Sequence, residues 1–265
     1  MEDILLYYSN NNITINDSMF YCNGKRLILY ELKDNEIINY NLMRYPFHIP
    51  LLNIFNSYIT FYNGKKFVLF SSFFPHRIVD IKDINYIIMI NQFKTYINYY
   101  DVWKNKLNII KKYYTNKDNY LYEYYYSLAL NVIQASKNID YKELSYGFCL
   151  KKITDFIDTD SFYNICKYRI GGVVTNISLY IKYVFFNKIK NNDINSFLNL
   201  YLSYDDFYFL LCRLLFPNYY FDYQFDNIYD TFIEYINYIK LLLKELKKRQ
   251  SFDLSIFSNL INLLL

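Results

Sequence analysis

Met19-Phe20-Tyr21-Cys22-Asn23-Gly24-Lys25-Arg26-Leu27-Ile28-Leu29-Tyr30-Glu31 sets the architecture of the front of the chain. Two runs of β-forming residues flank Asn23-Gly24, a pair that supplies the positive φ angles of a type I′ hairpin turn. Residues 19–22 should therefore pair with residues 26–31, leaving Lys25 and Arg26 at the turn. The same device recurs at Asn63-Gly64, again followed by a lysine, and predicts pairing of residues 57–62 with 67–71. Residues 13–15 add a fifth strand. Between the hairpins, residues 35–44 suit one short helix that ends before Pro46, because the residue before a proline disfavours helical backbone. The expectation is a small antiparallel sheet with one inserted helix.

The remainder reads as helical. Trp103, Leu107, Ile110 and Tyr114 recur at helical spacing, as do Leu121, Tyr125, Leu128 and Val132. Val174, Ile177, Ile181 and Val184 form a third stripe. Phe207, Leu211, Leu214 and Leu215 form a fourth, stopped by Pro217. Ile228, Phe232, Ile236, Ile239, Leu243 and Leu246 form a long fifth, and residues 252–264 a last apolar helix. Asp118-Asn119 and Asp205-Asp206 are candidate N-caps, because short polar side chains can accept from the orphan amides of a first turn. Strands followed by helices imply an α+β fold. The division is a β-rich lobe over residues 1–72, a hinge and linker helix over 73–100, and an α-helical lobe over 101–265.

Composition narrows the function classes. The 265 residues include 34 Tyr, 23 Phe and 1 Trp, but only 5 Gly and 4 Pro, the reverse of a disordered or collagen-like bias. The abundance of Ile, Asn, Lys, Tyr and Phe matches AT-rich codons, so tyrosine content alone is no functional clue. A net charge of +4 and a pI near 8.6 are mild for a nucleic-acid binder. The basic runs Lys104, Lys106, Lys111, Lys112 and Lys244, Lys247, Lys248, Arg249 fit solvated helix faces. Cys22, Cys149, Cys166 and Cys212 form no C-x-x-C, and they lie far from His48 and His76, which sit among prolines as loop residues. Zinc is therefore not expected, and the thiols should be reduced and mostly buried. No uninterrupted apolar run reaches ~20 residues, the length of a membrane span. The Met1-Glu2-Asp3 start does not read as a signal peptide.

A sheet with one inserted helix, followed by a larger helical lobe, has the outline of a kinase. Three segments add to it. Cys212-Arg213-Leu214-Leu215-Phe216-Pro217-Asn218-Tyr219-Tyr220-Phe221-Asp222 resembles the "RLLFPxHYF" stretch of the spore coat-associated CotS/YutH group, within the aminoglycoside phosphotransferase-like (choline kinase-like) superfamily. Residues 124–134, reading YYYSLALNVIQ, resemble that group's "YYxGLAENAIQ" helix, and Trp103 stands where the group carries an upstream tryptophan. The resemblance covers residues 100–225. It implies a bilobal protein kinase-like fold, and it places the protein in sporulation. Its location would be the cytoplasm, the spore coat or the forespore surface of a low-GC bacterium.

Phosphoryl transfer requires a phosphate cradle, a cation, a carboxylate that orients the nucleophile, and carboxylates for Mg²⁺. No glycine precedes Gly24, so a backbone cradle is lacking. Where the resemblance puts a strand-borne lysine, after Leu27-Ile28-Leu29, stands Tyr30; a helix-borne partner, Glu36, is present without its cation. The catalytic His-Gly-Asp of the superfamily aligns with Tyr146-Gly147-Phe148. A phenylalanine there neither accepts a proton nor attracts a metal. Asp158 and Asp160, in Ile157-Asp158-Thr159-Asp160, are weak candidates for Mg²⁺, since paired acids in a loop are common. Asn176 aligns with an aspartate that braces the catalytic loop. Gly171-Gly172 is either an anion-binding nest or a tight lead-in to a buried helix.

Three readings stay open. The first is an inactive kinase-fold protein (a pseudokinase) that binds other coat or sporulation proteins, has no cofactor and can self-associate. The second is an active small-molecule phosphotransferase using ATP and Mg²⁺ at Asp158 and Asp160. The third is a generic α+β interaction or nucleic-acid-binding protein.

Overall fold

The computed structural model describes residues 2–16, 19–32, 48–72, 93–113, 120–150, 168–186, 202–218 and 228–249. The fold is mixed α+β with an antiparallel sheet and several helices. The chain divides into two compact units, Met1–Asn91 with Leu150–Arg169, and Gln92–Cys149 with Ile170–Leu265.

The first unit opens with a short helix α1 (Glu2–Leu5) and a 3-10 turn (Leu6–Tyr8). The strands are β1 (Ile13–Asn16), β2 (Met19–Cys22), β3 (Lys25–Leu32), β4 (His48–Pro50), β5 (Thr60–Tyr62) and β6 (Lys65–Ser72). They form one sheet in the order β1-β2-β3-β6-β4, with β5 also paired to β6. Both Asn-Gly turns hold the backbone that the sequence requires, with φ of 51° and 74° at Asn23 and Gly24 and 48° and 73° at Asn63 and Gly64. The β3–β6 register sets Leu29 opposite Leu69 and Tyr30 opposite Val68.

Three expectations are corrected here. Among the described residues the sheet has six strands rather than five, because His48 is not in a loop: β4 runs antiparallel to β6, with His48 opposite Ser72 and Pro50 opposite Phe70. An edge strand tolerates proline because one side of it needs no ladder bond. Lys25 opens β3 instead of lying in the turn, since a two-residue loop leaves it paired with Cys22, while Arg26 pairs with Tyr21 inside the strand expected over residues 26–31. The strand expected over residues 57–62 begins only at Thr60, because the side chain of Asn53 organises the preceding residues as a loop.

The core of this unit joins Ile4 and Tyr8 of the N-terminal turn to Cys22, Leu27 and Leu69 of the sheet. Two apolar residues four apart are too few to announce a helix in sequence, so only packing reveals α1. The helix expected over residues 35–44, with Glu36, lies outside the described residues, as do Cys166, His76 and most of the 73–100 segment.

The second unit contains α2 (Tyr99–Tyr113), α3 (Tyr120–Ala135), a 3-10 turn (Ser136–Asn138), α4 (Val174–Phe186), α5 (Tyr204–Leu215) and α6 (Ile228–Arg249). Each coincides with one of the five predicted stripes. β7 (Tyr146–Leu150) and β8 (Tyr168–Gly172) form a two-stranded sheet. The N-cap of α5 is Ser203, not Asp205 or Asp206: its hydroxyl accepts the Asp206 N–H at 3.1 Å. The two acids fall in the first turn, where they complement the helix dipole. Asp118-Asn119 and the helix expected at 252–264 lie outside the described residues. Cys22, Cys149 and Cys212 are buried thiols that form no disulfide. Among the described residues no helix is long and apolar enough to cross a membrane.

Aromatic packing ties this unit together. The Trp103 ring stacks on Phe216 at 5.6 Å and on Phe209 at 5.8 Å, and Phe209 meets Tyr99 at 4.3 Å. Such pairs add ~0.5–1.5 kcal/mol each beyond the area they bury. The end of α5 is held by side chains from two other helices. The Lys182 ammonium of α4 donates to the Arg213 carbonyl at 2.7 Å, and the Tyr235 hydroxyl of α6 donates to the Leu214 carbonyl at 3.0 Å. A cation at a helix C-terminus is favoured by the dipole and by the orphan carbonyls.

Candidate functional site

The residues aligned with a catalytic loop, Tyr146, Gly147 and Phe148, do not form a loop. They lie on β7, whose five residues are all buried. The alternation of Tyr146, Phe148 and Leu150 has the period of a strand, and packing on both faces leaves no side of β7 in water.

Side chains from four directions fix this strand. The Tyr146 hydroxyl donates to the Tyr141 carbonyl at 2.7 Å and accepts the Ile97 N–H at 3.1 Å. The Tyr146 carbonyl accepts the Phe93 N–H at 2.9 Å, and the Phe93 ring meets Phe148 edge-on at 5.0 Å. The Asn176 side-chain amide donates to the Phe148 carbonyl at 2.8 Å. The Cys149 thiol donates to the Gly172 carbonyl at 3.0 Å. Burial raises the Tyr146 pKa, as burial disfavours phenolate.

At the N-terminal side of β7 sits the carboxylate of Asp206, which accepts the Ser145 N–H at 3.0 Å and the Ser145 hydroxyl at 2.7 Å. Burial of the group pushes its pKa up, while the bonds from Ser145 work in the opposite direction. Each carboxylate oxygen already has a donor, so Asp206 acts as an anchor between α5 and β7. In sequence, Asp206 has the features of a helix cap. The Ser203-x-x-Asp206 spacing was visible, but the spacing cannot show that the acid leaves its own helix for Ser145.

The two glycines before α4 serve close packing. A Cβ on Gly172 would lie 2.5 Å from the Phe209 ring, and one on Gly171 would lie 2.9 Å from the Tyr99 hydroxyl. The Gly172 N–H donates to that hydroxyl at 2.8 Å, so this amide is already engaged. Of the two readings of Gly171-Gly172, the tight lead-in to a buried helix is the one with contacts behind it.

The structure thus joins Phe148, Asn176, Gly172 and Asp206 around one strand. Asp158 and Asp160 lie outside the described residues. Tyr30 stands within β3 of the other unit. Among the described residues, no group of three or more His, Cys, Asp or Glu could hold a metal ion. No protein-family model matches the chain, and no curated protein matches it.

Proposed function

We propose that this chain is a catalytically inactive member of the bilobal kinase-like fold, kin to the spore coat-associated group, with a structural or protein-binding role in sporulation. The observation that carries the inactivity is Phe148. The position aligned with the proton acceptor holds an apolar ring packed against Phe93, on a strand whose residues are all buried. Neither a hydroxyl nucleophile nor Mg²⁺ gains anything from that ring.

Two contacts support the kinship. Asn176, aligned with the bracing aspartate, donates to the carbonyl of Phe148, which is the bracing contact with charge removed. Trp103 and Phe216, from two separate segments of the resemblance, stack on each other. The sporulation context rests on the resemblance alone.

The test is thermal or urea denaturation with Mg-ATP. A ligand at 100 times its Kd adds ~2.7 kcal/mol to stability. The expected result is no saturable shift. A saturable shift, together with ATP turnover lost in Asp158→Asn, would overturn the proposal in favour of an active phosphotransferase.

A further inference from the structure

One edge of the sheet carries a sequence that reads the same in both directions. β1 and the residue before it are Asn12-Ile13-Thr14-Ile15-Asn16, a palindrome about Thr14. Among the described residues β1 is the last strand on its side of the sheet. The register decides which of its backbone groups are left over. Asn23-Gly24 is a two-residue turn, so Cys22 and Lys25, which flank it, exchange both of their hydrogen bonds. Backbone direction alternates along a strand, so Met19 and Tyr21 bond toward β1, with Asn16 and Thr14 as their partners. The N–H and C=O groups of Ile13 and Ile15 therefore point away from the sheet. Among the described residues nothing accepts from them or donates to them.

An open edge is ordinarily blunted by charge, by proline or by very short strands. The other side of the sheet is blunted in this way: β4 and β5 have three residues each, and Pro50 lacks a donor. β1 has no such device, since residues 9–16 contain no Lys, Arg, Asp, Glu or Pro. The apolar face also runs past the cover it receives. Ile13 is opposite Cys22 and Ile15 opposite Phe20, so both isoleucines lie on the face that packs the core. Ile13 packs against that core, yet Ile15 is 65% exposed. The approach to the strand is already fixed: the Asn11 amide donates to the Tyr8 carbonyl at 3.2 Å and to the Leu52 carbonyl at 3.1 Å. Little order remains to be imposed on binding.

Unpaired N–H and C=O groups along an extended strand take another extended strand. The palindrome says which one. In an antiparallel pairing with a second β1, about a two-fold axis through Thr14, Ile13 faces Ile15 of the other copy and exchanges both hydrogen bonds with it. Ile15 does the same with Ile13. Thr14 meets its own counterpart as a non-hydrogen-bonded pair, with Cα atoms ~4.5 Å apart. Asn12 meets Asn16. The isoleucines of both copies fall on the core face and cover Ile15, while the threonines pair on the opposite face. No like charges are brought together. A slip of one residue would set outward-pointing groups against residues that have none to offer, and would move the isoleucines to the wrong face. We propose that β1 is a self-pairing edge that joins two copies of the chain into a symmetric dimer, with one sheet continuous across the two-fold axis. A single short strand buries less than the ~1,200 Å² of a stable interface, so this dimer is a reversible one.

The test uses the full chain. Analytical ultracentrifugation should show a monomer–dimer equilibrium that shifts with concentration. Thr14 is exposed, so its side chain can be changed without disturbing the core. Thr14→Lys and Thr14→Glu each set like charges across the axis and should weaken the dimer about tenfold or more; mixing the two variants should restore it as a heterodimer. Under mild oxidation Thr14→Cys should give a covalent dimer, because Cα atoms ~4.5 Å apart suit a disulfide. Ile15→Cys should not, since Ile15 and its counterpart lie two residues out of step, ~8 Å apart. The unsubstituted chain, in which Cys22, Cys149 and Cys212 are buried, gives the background. A chain that stays monomeric up to ~0.5 mM would overturn the proposal. So would a dimer indifferent to both charges at position 14, or equal crosslinking at positions 14 and 15, either of which would place the contact elsewhere.

Discussion

Replacing Asn176 by leucine tests whether this side chain is the brace of β7. Leucine has the same number and branching of side-chain heavy atoms with bulkier methyl ends, so no cavity opens, but the donor to the Phe148 carbonyl disappears. Asn176 is 2% exposed and the bond is 2.8 Å long, so water has no access to take its place. Removing one partner of a buried hydrogen bond costs ~1–3 kcal/mol, and that is the expected loss. Asn176→Asp restores the acid of the resemblance, yet it should be worse at neutral pH. An ionised carboxylate has no proton to give, and it would face a carbonyl oxygen in a buried site. On acidification the protonated acid can donate, so the gap between the two variants should narrow. A chain of two compact units need not unfold in one step, so the readout must report on one of them. Trp103, the only tryptophan and 4% exposed, does this for the second unit through its fluorescence in urea. A leucine variant within ~0.5 kcal/mol of wild type, the scatter of neutral substitutions, would refute the bracing role. So would an aspartate variant more stable than wild type at pH 7.

Two more outcomes follow from the same contacts. Gly172→Ala should cost ~1–3 kcal/mol through the clash with Phe209, and Phe209→Leu should relieve part of it in the double variant, as a urea double-mutant cycle will read. Gly24→Ala meets open space but sits at φ +74°, so its cost should be ~1–2 kcal/mol with no second-site relief. For Asp206, burial raises the folded-state pKa above 3.8, so the folded protein binds the proton more tightly than the unfolded chain. The contribution of that proton to stability is full below 3.8 and is lost as pH rises through the folded value. Asp206→Asn should therefore gain relative to wild type as pH climbs from about 3.8, then level off; urea titrations across this range showing the reverse slope would refute the assignment.

The parts legible from residue order are those with local causes. Asn23-Gly24 and Asn63-Gly64 impose positive φ wherever they occur, so both hairpins and the antiparallel sense of the sheet follow without knowledge of the rest. The apolar stripes of α2 to α6 are likewise set by helical spacing, and Pro217 closes α5 because its ring cannot continue the helix. Tyr146-Gly147-Phe148 was legible as a place lacking a carboxylate, because residue identity alone says so.

Long-range choices were not legible. Whether residues 146–150 make a loop or a strand depends on Phe93, Asn176 and Asp206, which lie tens of residues away and act only once packed. The direction in which Asp206 points, toward Ser145 instead of its own first turn, is a competition between two acceptor sites that only distance resolves. His48 enters β4 because β6 offers it a partner at Ser72, and the Ile54 N–H meets the Tyr7 carbonyl because Asn53 organises the loop between β4 and β5. Local chemistry writes turns and periods into the sequence; which buried donors meet which acceptors is set by the tertiary structure, since those pairings exist only after water has been excluded.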